Sequence, residues 1–318
     1  MKKLVTGLHH VTALSADPQK NLDFYAGILG LRLVKKTINY DAPEVYHLYY
    51  ANEEGTPGTI LTFFPYIGIP KGRKGKGQLT VTSFSIPENG IDYWLKRLNK
   101  FHVKHEGPQR RFDDEVFIYL EDHEGLGLEL VANKKDKRHG FTYGNVPSEF
   151  AIKGFYGITL SEECYEKTAG LLVGQMDHVL IAEKGNRFRY SASDQNYSFV
   201  DILCSPDALQ GLGGHGTVHH VAFATANDKT QLEARAKLVK FGLNVTPVLD
   251  RQYFHSIYFR EPGGVLFEIA TLPPGFAIDE TKEHLGESLR LPSWEERNRS
   301  LIEKYLTPIR LDINKFAD

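Results

Sequence analysis

Two stretches of the chain decide its fold: G-T-V-H-H-V-A-F-A-T at residues 216–225 and F-H-S-I-Y-F-R-E-P-G-G-V-L-F-E-I-A-T at residues 254–271. The N-terminus repeats the first stretch as G-L-H-H-V-T-A-L-S at residues 7–15. Alternation of apolar residues with small or polar ones is typical of a half-buried strand, so the two His-His-Val copies predict two equivalent strands. A histidine from each strand, together with Glu268, gives two imidazoles and one carboxylate. That donor set suits a non-haem Fe(II) site with open coordination positions.

Strand geometry decides which histidine of each pair is the candidate ligand. Neighbouring side chains on a strand face opposite sides, so only one histidine of each pair can point to the shared face. His10 lies seven residues before Asp17, and His220 lies seven before Asn227; both of these later residues are expected to begin helices. The second histidine of each pair therefore occupies the equivalent place, and we predict His10, His220 and Glu268 as the metal ligands.

Composition excludes several classes of protein. The chain has 318 residues, of which 41% are hydrophobic and 25% charged, as expected for a globular protein with room for two domains. A net charge of -2 gives no argument for nucleic acid or a membrane surface as partner. Two cysteines cannot build a disulfide framework, and no apolar run approaches the ~18 residues of a membrane helix. We expect a cytoplasmic protein.

A repeat organises the chain. A unit of roughly 50 to 60 residues, consisting of a strand, a helix and three more strands, occurs four times. The pattern predicts an N-terminal pair of units at residues 1–133 and a C-terminal pair at 151–271, joined by a polar linker. Residues 272–318 are predicted to be a helical tail, with Ser293 capping a helix over 294–305.

A basic loop, I-G-I-P-K-G-R-K-G-K-G-Q at residues 67–78, joins the first two units. Its lysines and arginine could form an anion site. Its glycines favour a solvated, flexible loop instead, and this is the interpretation we adopt.

The four units, with His-His-Val at the head of the first and fourth and Glu268 near the end of the fourth, resemble the vicinal oxygen chelate superfamily, which includes glyoxalases, bleomycin resistance proteins and extradiol dioxygenases. The likeness is greatest to bacterial ring-cleaving dioxygenases that open hydroquinones, including those linked to quinone resistance. It extends to about residue 275. The resemblance implies an α+β fold of four βαβββ modules paired into two open, barrel-like cups, with metal only in the cup of modules one and four.

The resemblance also implies roles for residues beside the three ligands. In the family such neighbours bond ligands or substrate, or handle protons. On the matching positions, catalytic roles are expected for Tyr258, His219 and Arg251, and substrate contacts for Thr12 and His9.

The second cup is expected to lack metal. Module two offers Glu129 in L-G-L-E-L-V, where a charge would be buried. However, its first strand places Val81 or Thr82 at the ligand position, and module three places Tyr156 there. We therefore interpret this cup as structural and Glu129 as a neutral or hydrogen-bonded residue.

The predicted activity is cleavage of a hydroquinone-type aromatic diol by dioxygen, with Fe(II) as cofactor and Mn(II) as the alternative metal, in the detoxification or degradation of quinones and aromatics. A homo-oligomer is expected from the family. Three alternatives stay open: an extradiol catechol dioxygenase, a glyoxalase-like lyase or isomerase, and an aromatic-binding resistance protein without turnover. Glyoxalases often use a fourth, carboxylate ligand, whereas the last strand of module one offers Thr62, Phe63 and Phe64.

Overall fold

The computed structural model describes residues 3–112 and 114–317, and within them the four predicted modules are present. Module one contains β1 (Leu8–Ser15), α1 (Pro18–Leu22, continuing as a π-helix over Asp23–Ile28), β2 (Arg32–Asn39), β3 (Ala42–Ala51) and β4 (Ile60–Pro65). Module two contains β5 (Gln78–Ile86), α2 (Ile91–Lys100), β6 (His105–Arg111), β7 (Glu115–Glu121) and β8 (Gly127–Ala132).

The second half of the chain repeats this plan. Module three contains β9 (Gly154–Glu162), α3 (Glu166–Gln175), β10 (Val179–Lys184), β11 (Arg187–Ser191) and β12 (Phe199–Cys204). Module four contains β13 (Thr217–Thr225), α4 (Asp228–Lys240), β14 (Leu249–Asp250), β15 (Phe254–Arg260) and β16 (Leu266–Pro274). The tail holds α5 (Arg299–Tyr305) and short 3₁₀ turns.

The sixteen strands form two curled, eight-stranded sheets. One has the order β14-β15-β16-β13-β1-β4-β3-β2 and thus joins modules four and one; the other has the order β10-β11-β12-β9-β5-β8-β7-β6 and joins modules three and two. The predicted fold class and the cup of modules one and four are confirmed. Each sheet takes one module from each half of the chain, so the division at residues 1–133 and 151–271 does not separate the sheets.

Capping side chains fix where the first and fourth helices begin. Asp17 accepts hydrogen bonds from the backbone of Gln19 and Lys20, and Pro18 follows it at the first turn, as predicted. Asn227 forms a capping box with Thr230. The third helix begins at Glu166, four residues after the end of strand β9 at Glu162.

The basic loop is not the free loop that its composition suggests. Three bridges fasten it to the glycine-rich segment at 209–215: Lys71 with His215, Arg73 with Leu212 and Lys76 with Gln210. Lys74 also donates to Glu121 over 2.7 Å. The prediction of a flexible loop is therefore wrong, because backbone pairing between two glycine-containing segments replaces solvation.

The tail packs across module one. The fully buried Lys35 of β2 forms ion pairs with Asp279, over 2.6 Å, and with Glu280. Ser293 does not cap a helix; 3₁₀ turns precede α5, which begins only at Arg299. In the described part of the chain, no helix is both long and apolar enough to cross a membrane.

The cup of modules two and three is filled by charged side chains. Arg111 donates to both carboxylate oxygens of Glu129, over 2.8 and 2.7 Å, and also contacts Glu115. Arg189 makes a similar paired contact with Asp201, over 2.7 and 2.8 Å. Glu129 is therefore hydrogen-bonded, which is one of the two alternatives predicted for it. It also forms an ion pair with Arg111, which replaces the other alternative, a neutral residue.

Candidate metal centre

Sheet register brings the three predicted ligands to one place. Strands β1 and β13 are antiparallel neighbours, with His10 opposite Ala222 and Thr12 opposite His220. Strand β16 runs parallel to β13, with Glu268 opposite Ala222. The two histidines and the glutamate thus come from three adjacent strands at the centre of the sheet.

The ligand atoms converge closely. The His10 Nε2 and His220 Nε2 atoms are 3.3 Å apart, and the Glu268 Oε2 atom is 3.3 Å from the first and 3.0 Å from the second. All three residues are buried. In the described part of the chain, they form the one set of three or more His, Cys, Asp or Glu residues close enough to share a metal ion.

A divalent cation fits this arrangement because its donors otherwise lack a partner. Glu268 Oε2 is a buried oxygen without a hydrogen bond. If each imidazole carries its hydrogen on Nδ1, both Nε2 atoms present lone pairs to the carboxylate oxygen. Three acceptors at such distances repel one another unless a cation or a proton lies between them. Two imidazoles and one carboxylate are a donor set for divalent iron or manganese.

The first histidine of each pair contacts the second through its Nδ1 atom. His9 Nδ1 is 2.9 Å from His10 Nδ1, and His219 Nδ1 is 2.7 Å from His220 Nδ1. Each of these contacts can hold the Nδ1 hydrogen of the inner histidine, which turns its Nε2 lone pair toward the metal position. Phe254 packs against the rings of both His9 and His10 and limits their rotation.

The charge of Glu268 is stabilised by its neighbours. Burial alone would raise the pKa of Glu268, but a proton held between Glu268 and the imidazoles of His10 and His220, in the place that a metal cation would take, outweighs burial and holds the pKa well below its ordinary value. Ser256 Oγ donates a short hydrogen bond to Glu268 Oε1. The carboxylate is therefore anionic, and its other oxygen remains available for the cation.

A cavity of about 330 Å³ opens onto the candidate centre. Its walls carry aromatic and polar residues from both modules: His10, Leu14, Asn39, Tyr40, Asp41, His47, Tyr49, Phe64, Tyr66, His219, His220, Arg251, Phe254, Tyr258 and Leu266. A volume of this size suits a small aromatic molecule. A larger groove of about 920 Å³ lies beside the tail, and no histidine lines it.

Three of the predicted neighbours line this cavity. Tyr258 lies directly opposite Glu268 on the adjacent strand, as its spacing suggested. Arg251 Nε donates to Tyr258 Oη over 3.3 Å, and its guanidinium also pairs with Asp41 over 3.2 Å. His219 lies at the mouth of the cavity and is exposed.

Thr12 and His9, for which substrate contacts were predicted, lie outside the wall of the cavity. Neither residue is among those that line the cavity, and both are buried. Thr12 Oγ1 is 2.9 Å from Thr62 Oγ1 instead, and His9 lies behind His10. A strand's alternation gives the face of a side chain but not the neighbours that cover it, so the sequence could not exclude this outcome.

Two cavity residues, His47 and Tyr49 of β3, were not predicted. They share a face of the strand in the run V-Y-H-L-Y-Y, and this alternation was the signal in the sequence. Thr62 lies opposite Tyr49 just as Glu268 lies opposite Tyr258. Thr62 therefore occupies the position in module one that corresponds to the carboxylate of module four.

The same comparison of paired strand positions explains why, among the described residues, the second cup lacks a set of metal ligands. Glu129 lies opposite Ser83, so the residue two places earlier, Val81, takes the position of His220, as predicted. The position of His10 falls to Gly157, one residue after the predicted Tyr156. Neither side chain can bind a metal.

The fold and the two histidine-bearing strands define a class of protein. Residues 7–130 and 151–269 match the Glyoxalase/Bleomycin resistance protein/Dioxygenase superfamily. The chain belongs to this superfamily, and the predicted resemblance is confirmed.

Individual relatives show which members of the superfamily the chain is similar to. The chain is 45% identical over 311 residues to MhqO of Bacillus subtilis, which is named as a ring-cleaving dioxygenase, and the match covers 98% of this chain and 99% of the relative. It is 34% identical over 315 residues to a chlorohydroquinone/hydroquinone 1,2-dioxygenase of Sphingobium indicum, covering 96% and 97%.

Solved structures agree with the fold. The crystal structure of a dioxygenase from Bacillus subtilis superposes with a TM-score of 0.92 at 45% identity, covering 97% of this chain and 99% of that one. Glyoxalase I from Zea mays superposes with a TM-score of 0.61 at 12% identity, covering 83% and 92%, and this likeness concerns the fold alone.

Proposed function

We propose that the protein is an Fe(II)-dependent dioxygenase that opens the ring of hydroquinone-type aromatic diols. The observation that carries the proposal is the convergence of His10, His220 and Glu268 at the base of a small, largely aromatic cavity. Relatives named as ring-cleaving dioxygenases along nearly the whole chain support the reaction type. A role in the detoxification or degradation of quinones and aromatics follows from the same names.

His10, His220 and Glu268 would hold the metal, with Mn(II) as the alternative to iron. When bound there, iron supplies the electron transfer that allows dioxygen to react with an electron-rich ring. Three protein ligands leave coordination positions for substrate and dioxygen. The aromatic walls exclude water and hold the ring.

Tyr258 is proposed to donate a hydrogen bond to the ionised oxygen of the substrate. Burial, followed by the charge of Glu268, raises the pKa of Tyr258, so its hydroxyl keeps its hydrogen near neutral pH. Arg251 Nε donates to the tyrosine oxygen, which leaves the tyrosine's own hydrogen free for the cavity. His219, at the cavity mouth, is placed to pass protons to solvent as the ring opens.

A glyoxalase-like activity is less well supported. The position in module one that corresponds to Glu268 holds Thr62, whose hydroxyl is bonded to Thr12 and His47. The position that a fourth, carboxylate ligand would take therefore holds the neutral hydroxyl group of Thr62, which neighbouring side chains bind by hydrogen bonds. An extradiol catechol dioxygenase would use the same three ligands, and substrate comparison has to separate it from the proposed activity.

Oxygen uptake tests the proposal. Protein loaded with Fe(II) under nitrogen is mixed with dioxygen and either methylhydroquinone or 4-methylcatechol. We expect uptake and loss of the aromatic absorbance with the para-diol, and slower turnover of the catechol. Faster cleavage of the catechol would favour the extradiol alternative, and uptake with neither diol would contradict the proposed function.

A further inference from the structure

The cavity has a second tyrosine related to Tyr258 by the internal symmetry of the sheet. Strand β3 lies outside β4 in module one as β15 lies outside β16 in module four. Tyr49 is opposite Thr62, and Tyr258 is opposite Glu268. Both tyrosines line the cavity, one on each wall.

The hydroxyl of Tyr49 is the end of a buried chain of hydrogen bonds. Tyr49 Oη is 2.8 Å from His47 Nδ1, and His47 Nε2 is 2.8 Å from Thr62 Oγ1. Thr62 Oγ1 is in turn 2.9 Å from Thr12 Oγ1, and because both hydroxyl groups can rotate, either one can donate in this contact. Thr12 and Thr62 are fully buried, and Tyr49 is only 1% exposed.

Protonation states limit how this chain can be arranged. Burial, followed by the nearby His10 and His220, lowers the pKa of His47 well below its ordinary value, so its ring is neutral and carries one hydrogen. Burial, followed by the neighbouring Tyr40, raises the pKa of Tyr49, which keeps its hydroxyl hydrogen. Each of the four groups therefore has one hydrogen to donate.

Counting these hydrogens gives the chain a direction. If Tyr49 donated to His47, the hydrogen of Thr12 at the far end would be buried without an acceptor, because among the described residues Thr62 is the one hydrogen-bond partner of the Thr12 hydroxyl. An unsatisfied buried donor costs ~1–3 kcal/mol. In the opposite direction Thr12 donates to Thr62, Thr62 to His47 Nε2, and His47 Nδ1 to Tyr49. Every buried hydrogen is then used, and the hydrogen of Tyr49 remains for a ligand in the cavity.

We propose that Tyr49 is a specificity-determining residue that donates a hydrogen bond to a substrate oxygen remote from the metal, with His47, Thr62 and Thr12 acting as positioning residues. The inference rests on the proposed function in that it takes an aromatic hydroxyl to bind at the metal, beside Tyr258. The preferred ligand is a ring with a second oxygen para to that hydroxyl. That oxygen needs only to accept a hydrogen bond.

Two phenols of matched size test this preference without turnover. 4-Methoxyphenol carries an acceptor oxygen at the para position, whereas 4-ethylphenol carries a methylene group in its place. Binding of each is measured by calorimetry to iron-loaded protein under nitrogen. We expect wild-type protein to bind 4-methoxyphenol about tenfold more tightly, the usual effect of one hydrogen bond. In Tyr49→Phe the preference should fall below about twofold, whereas Tyr258→Phe should weaken both phenols and keep the preference.

Equal binding of the two phenols to wild-type protein would overturn the inference, as would a preference that survives in Tyr49→Phe. These outcomes are separate from failure of the proposed function, which would appear as binding with the expected preference but no oxygen uptake with methylhydroquinone.

A measurement on the wild-type protein does not depend on whether the variants fold. Nitrogen-15 NMR of the imidazoles, with the His47 signals assigned by their loss in His47→Gln, reports which ring nitrogen carries the hydrogen. The proposal requires the hydrogen on Nδ1. A hydrogen on Nε2 would reverse the chain and contradict the donor role of Tyr49.

Discussion

At the scale of single residues, the candidate centre depends on one buried negative charge. Glu268 is fully buried, and a carboxylate in that position needs a cation, which His10 and His220 are placed to share with it. Repetition made this candidate set predictable, because the same His-His-Val pattern heads two modules. The role of His47 was not predictable, because a lone strand histidine has no such internal copy.

Replacing Glu268 should remove the metal and leave the fold. Glu268→Gln keeps the size of the side chain but lacks the charge that binds a divalent ion, so metal content should fall from about one ion per chain to well below half. Metal analysis after dialysis, with circular dichroism as the check on folding, measures this. Asp41→Asn is the matched control at the cavity rim; full metal content in Glu268→Gln would exclude this site.

Replacing Tyr258 should slow turnover without loss of metal. Tyr258→Phe removes the hydroxyl proposed to contact the ionised substrate oxygen, and we expect turnover of methylhydroquinone to fall by ~10²-fold, the usual scale for a positioned acid or base. Steady-state oxygen uptake, normalised to bound iron, measures the effect. Turnover of methylhydroquinone by Tyr258→Phe at the wild-type rate would show that Tyr258 only packs in the cavity wall.

At the scale of elements, the junction of modules three and four contains two buried carboxyl groups. Thr168 Oγ1 of α3 is 2.6 Å from Glu162 Oε2, at the end of β9, and 2.6 Å from Glu261 Oε2, in the turn after β15. A threonine donates one hydrogen, so one carboxyl group must carry a proton. Gly263 and Val265 donate backbone hydrogen bonds to Glu261, which favours its anionic form, and the proton belongs to Glu162.

This pair should make stability depend on pH. Burial, followed by the charge of Glu261, raises the pKa of Glu162 to about 8, so the folded protein binds a proton that the unfolded chain releases near pH 4.5. The free energy of unfolding should therefore decrease as pH rises between these values, and the part of the decrease that falls between pH 6 and pH 8.5 should be about 1 to 3 kcal/mol.

Urea unfolding at pH 6 and pH 8.5 measures this decrease, and Glu162→Gln should reduce it. Glu163→Gln is the matched control, because the Glu163 side chain is 76% exposed. Equal pH dependence in wild type and Glu162→Gln would show that the pair is not protonated at neutral pH. The alternation of apolar residues predicted both strands, but not that a strand end, a helix and a turn bring two glutamates together.

At the scale of the whole molecule, the same arrangement of two modules forms two cups that contain different side chains. In the first, three candidate ligands converge below a cavity; in the second, Arg111 and Arg189 fill the corresponding space and, together with Arg187, form ion pairs with Glu115, Glu129 and Asp201. The repeat allowed the four modules and the cup that contains the candidate metal centre to be predicted. The charge cluster could not be predicted from the sequence, because its arginines come from strands that lack a shared sequence pattern. The domain division and the homo-oligomer stay predictions.

The second cup should be structural. Arg111→Met leaves the carboxylate of Glu129 buried without its cation and removes one of the two arginines that contact Glu115, so we expect a loss of about 3 to 5 kcal/mol in the free energy of unfolding. Urea unfolding tests this with Arg110→Met, an exposed neighbour on the same strand, as the control. Equal stability of the two variants would contradict the structural role.

Labelled dioxygen tests ring cleavage most directly. Fe(II)-loaded protein turns over methylhydroquinone under ¹⁸O₂, and the product is analysed by mass spectrometry. We predict a ring-opened acid containing both atoms of one dioxygen molecule, formed at the rate of oxygen uptake and absent in His10→Ala. Methylbenzoquinone as product, without label and with dioxygen reduced to peroxide, would contradict dioxygenase chemistry at this centre.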